Sequence, residues 1–350
     1  MPSTVGETAA GEPAPAPAPA PAARLRDVHI GFGDGRGGTR PVVRGVDLDL
    51  VPGRVTALVG ESGSGKSLTS LALMGLLPAG ARVSAGTVEI EGRDTAGFTD
   101  AQWRKLRGAK VAMVFQDPMA ALNPSFTVGW QIAETLRRRG TGRRAAREQA
   151  VALMRTVGIP DAEQKYGAYP HEFSGGMRQR AVIAMALTLD PAVLLADEPT
   201  TALDVTVQAQ ILRLLAGRQT DAGMAMLLVS HDLGVVARVA QDVAVMYAGR
   251  IVETGALDDV YTAPAHPYTR GLLDAVPDPA RPGRLIPIEG QPPAPGRQPE
   301  GCAFAPRCPY ATKVCGTEDP ALTAVGAGHA AACHHSDKVR AQATGVEAAS

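Results

Sequence analysis

One octapeptide restricts the fold more than anything else in this 350-residue chain. Gly60-Glu61-Ser62-Gly63-Ser64-Gly65-Lys66-Ser67 satisfies the pattern GxxxxGK[ST] in full. It follows a short apolar run, Val55–Val59, and opens a helical pattern over Leu68–Leu77. Strand, glycine loop and helix in that order predict a phosphate cradle. Glycines let successive backbone N–H groups point at phosphate oxygens, and a side chain at Gly65 would block the approach. Lys66 is placed to reach the β- and γ-phosphates, and the Ser67 hydroxyl to ligate Mg²⁺. The predicted ligand is ATP.

A second apolar run, Val193–Ala196, ends in Asp197-Glu198. A buried strand that delivers two carboxylates to the phosphate end of a sheet suits hydrolysis. Asp197 belongs to the Mg²⁺ shell, and Glu198 polarises a water for in-line attack on the γ-phosphate.

Around these motifs strands alternate with helices, which predicts a mostly parallel sheet covered on both faces. Strands are expected near Leu25–Ile30, Val42–Leu50, Thr87–Glu91, Val111–Phe115 and Met226–Val229, and helices over 130–158, 176–189 and 205–219. Gly33-Asp-Gly-Arg-Gly-Gly38 is formally GxGxxG, but Thr39–Val43 reads as strand rather than helix, so it is read as a turn. Residues 1–23 end in Ala-Pro alternation and are expected to be an extended tail. Beyond Tyr261 the chain turns proline-rich. The expected domains are therefore the tail, an ATPase unit over 24–262, and a loop-rich extension over 263–350.

Lys+Arg and Asp+Glu number 35 each, which argues against a partner held by surplus positive charge, so no nucleic acid is expected. The most apolar stretch, Ala181–Ala196, is broken by Asp190 and Pro191 and falls short of the about 20 apolar residues that a membrane span needs. No secretory signal opens the chain, and a soluble, cytoplasmic protein is expected. The run Arg137, Arg138, Arg139, Arg143, Arg144, Arg147 is read first as a solvated face.

Phe173-Ser174-Gly175-Gly176-Met177-Arg178-Gln179-Arg180 resembles the LSGGQ-type signature of ATP-binding-cassette (ABC) ATPases, with Phe173 in place of the usual Leu. Gln116 looks like that family's Q-loop, Ala202-Leu203-Asp204 its D-loop after Thr201, where Ser is commoner, and His231 its switch histidine. Phe32 is similar in position to the aromatic that stacks on adenine. Asp117-Pro118-Met119, Tyr169-Pro170-His171 and His266-Pro267-Tyr268-Thr269 narrow the resemblance to the ATPases of oligopeptide, dipeptide and nickel importers.

The resemblance implies an α/β fold: a P-loop NTPase core, a small antiparallel β subdomain, and a helical subdomain over about 117–180. It implies an ATPase that energises import of peptides or a related solute, nickel among the candidates. Two cassettes would clamp ATP between the phosphate loop of one and the signature of the other, through Ser174, Gly175, Gly176 and Gln179, with Asp204 at the dimer contact. Gln116 would join Ser67 and Asp197 at Mg²⁺ and sense the γ-phosphate. The implied partners are a related ATPase subunit, two transmembrane permeases and an extracytoplasmic solute-binding protein, with this chain on the cytoplasmic face of the membrane. The alternative from another class is a non-transport ABC ATPase acting on ribosomes or DNA.

All four cysteines, Cys302, Cys308, Cys315 and Cys333, fall in the extension. A cytoplasmic setting disfavours disulfides. Four thiolates suit either tetrahedral Zn²⁺ or an iron–sulfur cluster, and gaps longer than a zinc knuckle weaken zinc. The resemblance to the peptide-importer extension implies a [4Fe–4S] cluster. His329, His334 and His335 are candidate substitute ligands, but are expected rather at the surface.

Overall fold

The apolar runs marked as parallel strands are buried at every residue from Val55 to Val59 and from Val193 to Asp197, as strands covered on both faces must be. The computed structural model describes residues 19–33, 38–200, 203–276, 287–294 and 296–344. Its strands are β1 (Ala23–Gly33), β2 (Thr39–Leu50), β3 (Val55–Val59), β4 (Ala81–Ile90), β5 (Arg93–Asp94), β6 (Val111–Val114), β7 (Val193–Asp197), β8 (Ala225–Ser230), β9 (Asp242–Tyr247), β10 (Arg250–Ala256), β11 (Thr323–Gly326) and β12 (His329–Ala331).

Among the described residues these form two sheets. An antiparallel sheet has the order β2-β1-β4-β5, and a larger one β11-β12-β10-β9-β3-β8-β7-β6. In the larger sheet β9, β3, β8, β7 and β6 are mutually parallel. Its two faces separate by the period of two that strands impose. Val55, Ala57, Val59, Leu194, Ala196 and Leu228 pack toward the helical side. Leu58, Leu195, Leu227 and Val229 pack toward Leu25, Ile30, Val43 and Val46 of the antiparallel sheet. Each fully buried leucine contributes about 2 kcal/mol relative to exposure. The result is the mixed α/β architecture expected, with an antiparallel β subdomain on one face.

The glycine turn after β1 is followed by β2 and not by a helix; its residues 34–37 lie outside the described residues. The Ala-Pro tail is likewise outside them up to residue 18, and Ala23 already belongs to β1.

Between β6 and β7 the chain forms helices Pro118–Ala121, Val128–Arg138, Arg143–Thr156, Ala162–Lys165 and Gly175–Leu187. The single helix expected over 130–158 is therefore two. Gly140 takes a left-handed φ of +95°, and Gly142 caps the second helix in extended backbone. The arginine run divides between local partners: Arg138 pairs with Glu134 at 2.7 Å and Arg144 with Glu148 at 2.9 Å, while the Arg147 guanidinium lies over the Tyr166 ring.

The extension folds back onto the core. β12 pairs antiparallel with β10, and β11 with β12. Fully buried Glu253 of β10 accepts from the Ala265 and His266 N–H groups at 2.7 and 2.9 Å, and meets His329 Nε2 at 2.8 Å. His329 is thus buried, at 3 % exposure, and corrects the surface placement expected for it. Asp319 pairs with both Arg44 and Arg250. No helix among the described residues is long and apolar enough to cross a membrane.

Candidate active site

Because β3, β8, β7 and β6 run parallel, their C-terminal ends share one rim, where open α/β sheets place ligands. Just beyond those ends stand Gly60, His231, Glu198 and Gln116 respectively. They face an open cleft of about 950 Å³, lined also by Glu61, Ser62, Gly63, Gly65, Lys66, Ser67 and Leu68 of the phosphate loop and helix start. Phe32 lines it too, in company with Arg40, Val42 and Leu272.

The loop needs its glycines. Gly60 has φ +153°, and a Cβ there would sit 2.1 Å from the Met246 carbonyl oxygen; Gly65, at φ +109°, would meet Met246 Cε at 2.8 Å. Gly65 also starts helix Lys66–Met74 with no side-chain cap, which leaves the first-turn N–H groups and the positive helix end to an anion. Ser64 departs from the expectation for the loop. Its side chain is buried behind the cleft, and its Oγ finds no hydrogen-bond partner among the described residues. Lys66 Nζ donates to the carbonyls of Gly60 at 2.7 Å and Glu61 at 2.9 Å. Burial lowers the Lys66 pKa, and the carboxylates of Glu198, Asp197 and Glu61 oppose that shift.

The Ser67 hydroxyl donates to Asp197 Oδ1 at 3.3 Å. Burial raises the Asp197 pKa, partly offset by that hydroxyl. A hydroxyl and a carboxylate side by side are the hard oxygen donors that Mg²⁺ takes.

Glu198 is held from three sides. Its N–H donates to the Val229 carbonyl at 3.0 Å. Gln116 Nε2 donates to one carboxylate oxygen at 3.0 Å, and His231 Nδ1 lies 3.1 Å from the other. The backbone of Glu198 is left-handed, with φ +46°, a conformation that costs a non-glycine residue of order 1 kcal/mol and persists where the surroundings enforce it.

The signature lies elsewhere, and none of its residues lines the cleft. Ser174 caps helix Gly175–Leu187 and accepts the Met177 N–H at 3.3 Å. Ser174 and Gly175 are exposed and Gly176 half-buried. Gln179, expected to join them, is 2 % exposed, and its Nε2 has no hydrogen-bond partner among the described residues. Asp204 caps helix Val205–Ala222, accepting from the N–H groups of Thr206 and Val207. Thr201 and Ala202 lie outside the described residues.

Three residues that were not among the expected site residues also stand at the loop or the cleft. Tyr268 Oη accepts the Glu61 N–H at 2.7 Å. Arg307 pairs with the Glu61 carboxylate through both guanidinium nitrogens, at 2.8 and 2.9 Å. Leu272 enters the cleft from the extension. The family-like His266-Pro267-Tyr268 string was the available signal for Tyr268. Burial lowers the His266 pKa to about 4, so Nδ1 stays free to accept the Tyr268 N–H at 3.1 Å.

The four cysteines converge. Cys302, Cys308, Cys315 and Cys333 line one small cavity with His266, Phe304, His334 and His335. Backbone N–H groups of Tyr310 and His335 donate to the sulfurs of Cys308 and Cys333. Burial raises the thiol pKa of Cys302, and those of Cys308 and Cys333 to about 11. Yet among the described residues no group of three or more His, Cys, Asp or Glu is arranged to hold a metal ion. His334 and His335 bond instead to the Glu318 carbonyl and the Thr312 hydroxyl.

Comparison with known proteins bears on both halves. Residues 43–201 match the family model described as ABC transporter, and residues 252–315 the one described as oligopeptide/dipeptide transporter, C-terminal region. The chain is 51 % identical over 310 residues to a putative peptide import ATP-binding protein of Brucella melitensis, covering 84 % of this chain and 92 % of the relative. It is 48 % identical over 317 residues to the dipeptide transport ATP-binding protein of Bacillus subtilis, covering 90 % and 94 %. Among solved structures, the dimeric post-hydrolysis state of the ATP-binding cassette MJ0796, bound to ADP and Pi, superposes with a TM-score of 0.61 at 26 % identity, covering 67 % of this chain and 98 % of that one.

Proposed function

The chain belongs to the ABC transporter ATP-binding subunits, in the oligopeptide/dipeptide branch, and from that premise we propose that it hydrolyses ATP to drive import of peptides or a related solute, nickel included. The observation that carries this is Glu198, gripped by Gln116 and His231 directly across from the Ser67–Asp197 pair.

In this reading ATP lies along the cleft with its adenine on Phe32 and its phosphates on the loop. The N–H groups of the loop and helix start receive the phosphate oxygens, and Lys66 exchanges its two loop carbonyls for the β- and γ-phosphates. Ser67 and Asp197, with Gln116, would hold Mg²⁺, which when bound would supply positive charge to the phosphates. Glu198 accepts a proton from the attacking water as its oxygen bonds to the γ-phosphorus and the bond to the ADP oxygen breaks. His231 Nδ1 lies against Glu198 at 3.1 Å, and Nε2 is the ring nitrogen left to face the γ-phosphate. Gln116 and His231 each touch Glu198 in cis, so both report on the γ-phosphate through one carboxylate.

Ser174, Gly175 and Gly176 meet the nucleotide of a second, related ATPase subunit, and Asp204 stands at that contact. Two permeases carry the solute path, fed by an extracytoplasmic solute-binding protein, with this chain peripheral on the cytoplasmic face. The four cysteines would hold a [4Fe–4S] cluster in preference to Zn²⁺; the gaps of 5, 6 and 17 residues between them, longer than a zinc knuckle, support that order. When bound, such a group ties the extension together through metal–thiolate bonds. Brown protein from anaerobic purification supports it, and colourless protein with stoichiometric zinc overturns it.

The decisive experiment is deletion of this chain followed by uptake of labelled dipeptides, oligopeptides and Ni²⁺. Loss of peptide uptake is expected. Unchanged uptake of all three, with the paralogous systems also removed, contradicts the proposal.

A further inference from the structure

Arg307 comes from the extension, five residues after Cys302 and beside Cys308, yet its guanidinium ends against Glu61 of the phosphate loop. It is 5 % exposed. Each of its five N–H donors has an acceptor. Nε donates to the Glu289 carbonyl at 2.9 Å. Nη1 donates to Glu61 Oε2 at 2.8 Å and Tyr247 Oη at 3.3 Å, and Nη2 to Glu61 Oε1 at 2.9 Å and the Ile288 carbonyl at 3.4 Å. The guanidinium also stacks near the Tyr247 and Phe304 rings. The bidentate bond to Glu61 raises the Arg307 pKa further, so the charge is permanent.

Glu61 is the hinge of the loop's response to nucleotide. Its carbonyl holds Lys66 Nζ, its N–H is held by Tyr268, and its carboxylate by Arg307. When Lys66 turns to phosphate, the Glu61 carbonyl keeps the Ser64 N–H at 3.3 Å, and the two contacts from the extension still fix the backbone N–H and the carboxylate of the residue. A carboxylate two-thirds or more buried beside incoming phosphates would otherwise repel them. A paired carboxylate does not.

Resting on the reading that this cleft binds ATP, we propose that Arg307 is a positioning residue of the ATPase site: by pairing with Glu61 it holds the phosphate loop in shape, and neutralises it, while Lys66 changes partners. The extension is thereby part of the nucleotide site, and the turn that carries Cys302 and Cys308 also carries the loop's brace.

The test is equilibrium binding of MgATP to the full-length chain, for wild type, Arg307→Ala, Arg307→Lys, Glu61→Gln and the double variant Arg307→Ala/Glu61→Gln. Arg307→Ala is expected to weaken binding by about tenfold or more, since a bidentate charged pair is lost and a carboxylate left unpaired. Arg307→Lys keeps the charge without the fork and recovers only part of that loss. Glu61→Gln removes both the pair and the unpaired charge, so the double variant binds no worse than Arg307→Ala alone. In the assembled transporter, Arg307→Ala raises KM for ATP far more than it lowers kcat. Binding by Arg307→Ala within about twofold of wild type, or losses that multiply in the double variant, would overturn the proposal. If Arg307→Ala fails to fold, Glu61→Gln carries the test: its MgATP affinity must differ from wild type. Wild type that does not bind MgATP, or a Lys66→Ala variant that binds as wild type does, refutes the reading of the cleft instead.

Discussion

Two helices in this chain begin at glycine-rich anion-type turns, and they begin differently. The helix at Lys66 follows a left-handed Gly65 with no side-chain cap, so its first N–H groups face the cleft unclaimed by any side chain. The helix at Gly175 is closed by its own Ser174, whose hydroxyl accepts the Met177 N–H. One helix start is built to receive phosphate in cis. The other is capped by its own side chain, exposed at Ser174 and Gly175, and outside the cleft. On the function proposed above, each chain would hold one phosphate cradle with its hydrolytic carboxylate, and a signature that works in trans.

The sharpest way to break this comparison is at Glu198. Glu198→Gln removes the base but keeps the shape, and turnover of the assembled transporter should fall by about 10²–10⁴-fold. ATP binding should persist, read by phosphate release beside nucleotide trapping. A smaller fall would move the base elsewhere on the rim. Next comes Gly60→Ala. Its Cβ would lie 2.1 Å from a backbone carbonyl, so MgATP binding should be lost and the melting temperature should drop with a loss of about 2–3 kcal/mol.

Ser174→Arg sharpens the other half. The isolated chain should bind MgATP as wild type does, while the transporter loses most of its ATPase activity; weakened binding by the isolated chain would place the signature in cis. The smallest effect is at the extension. Asp319→Asn removes the partner of Arg44 and Arg250, and thermal unfolding should show a loss of about 1 kcal/mol with MgATP affinity unchanged.

What could be read from the chain followed the range of each signal. The phosphate loop, Asp197-Glu198, Gln116 and His231 are each set beside a short apolar strand, and the parallel register of β3, β8, β7 and β6 brings those strand ends together. Local pattern sufficed there. It failed where helical periodicity ran through Gly140 and Gly142, whose backbone splits one expected helix into two. It did not show that Gln179, a polar residue next to a motif, is buried. Arg307 was out of reach for a different reason: 246 residues separate it from Glu61, and no spacing rule spans that distance. The extension reads as loops because its prolines dominate the pattern, although β11 and β12 add it to the main sheet.

The cis-cradle, trans-signature account is tested most directly by the ATPase rate per chain of the purified protein, measured across a wide range of chain concentration and then with its partner subunits added. The account predicts slow hydrolysis by the dilute chain, a rate per chain that climbs with concentration, and a further rise on assembly. Fast turnover per chain that does not change with concentration or with partners would contradict it.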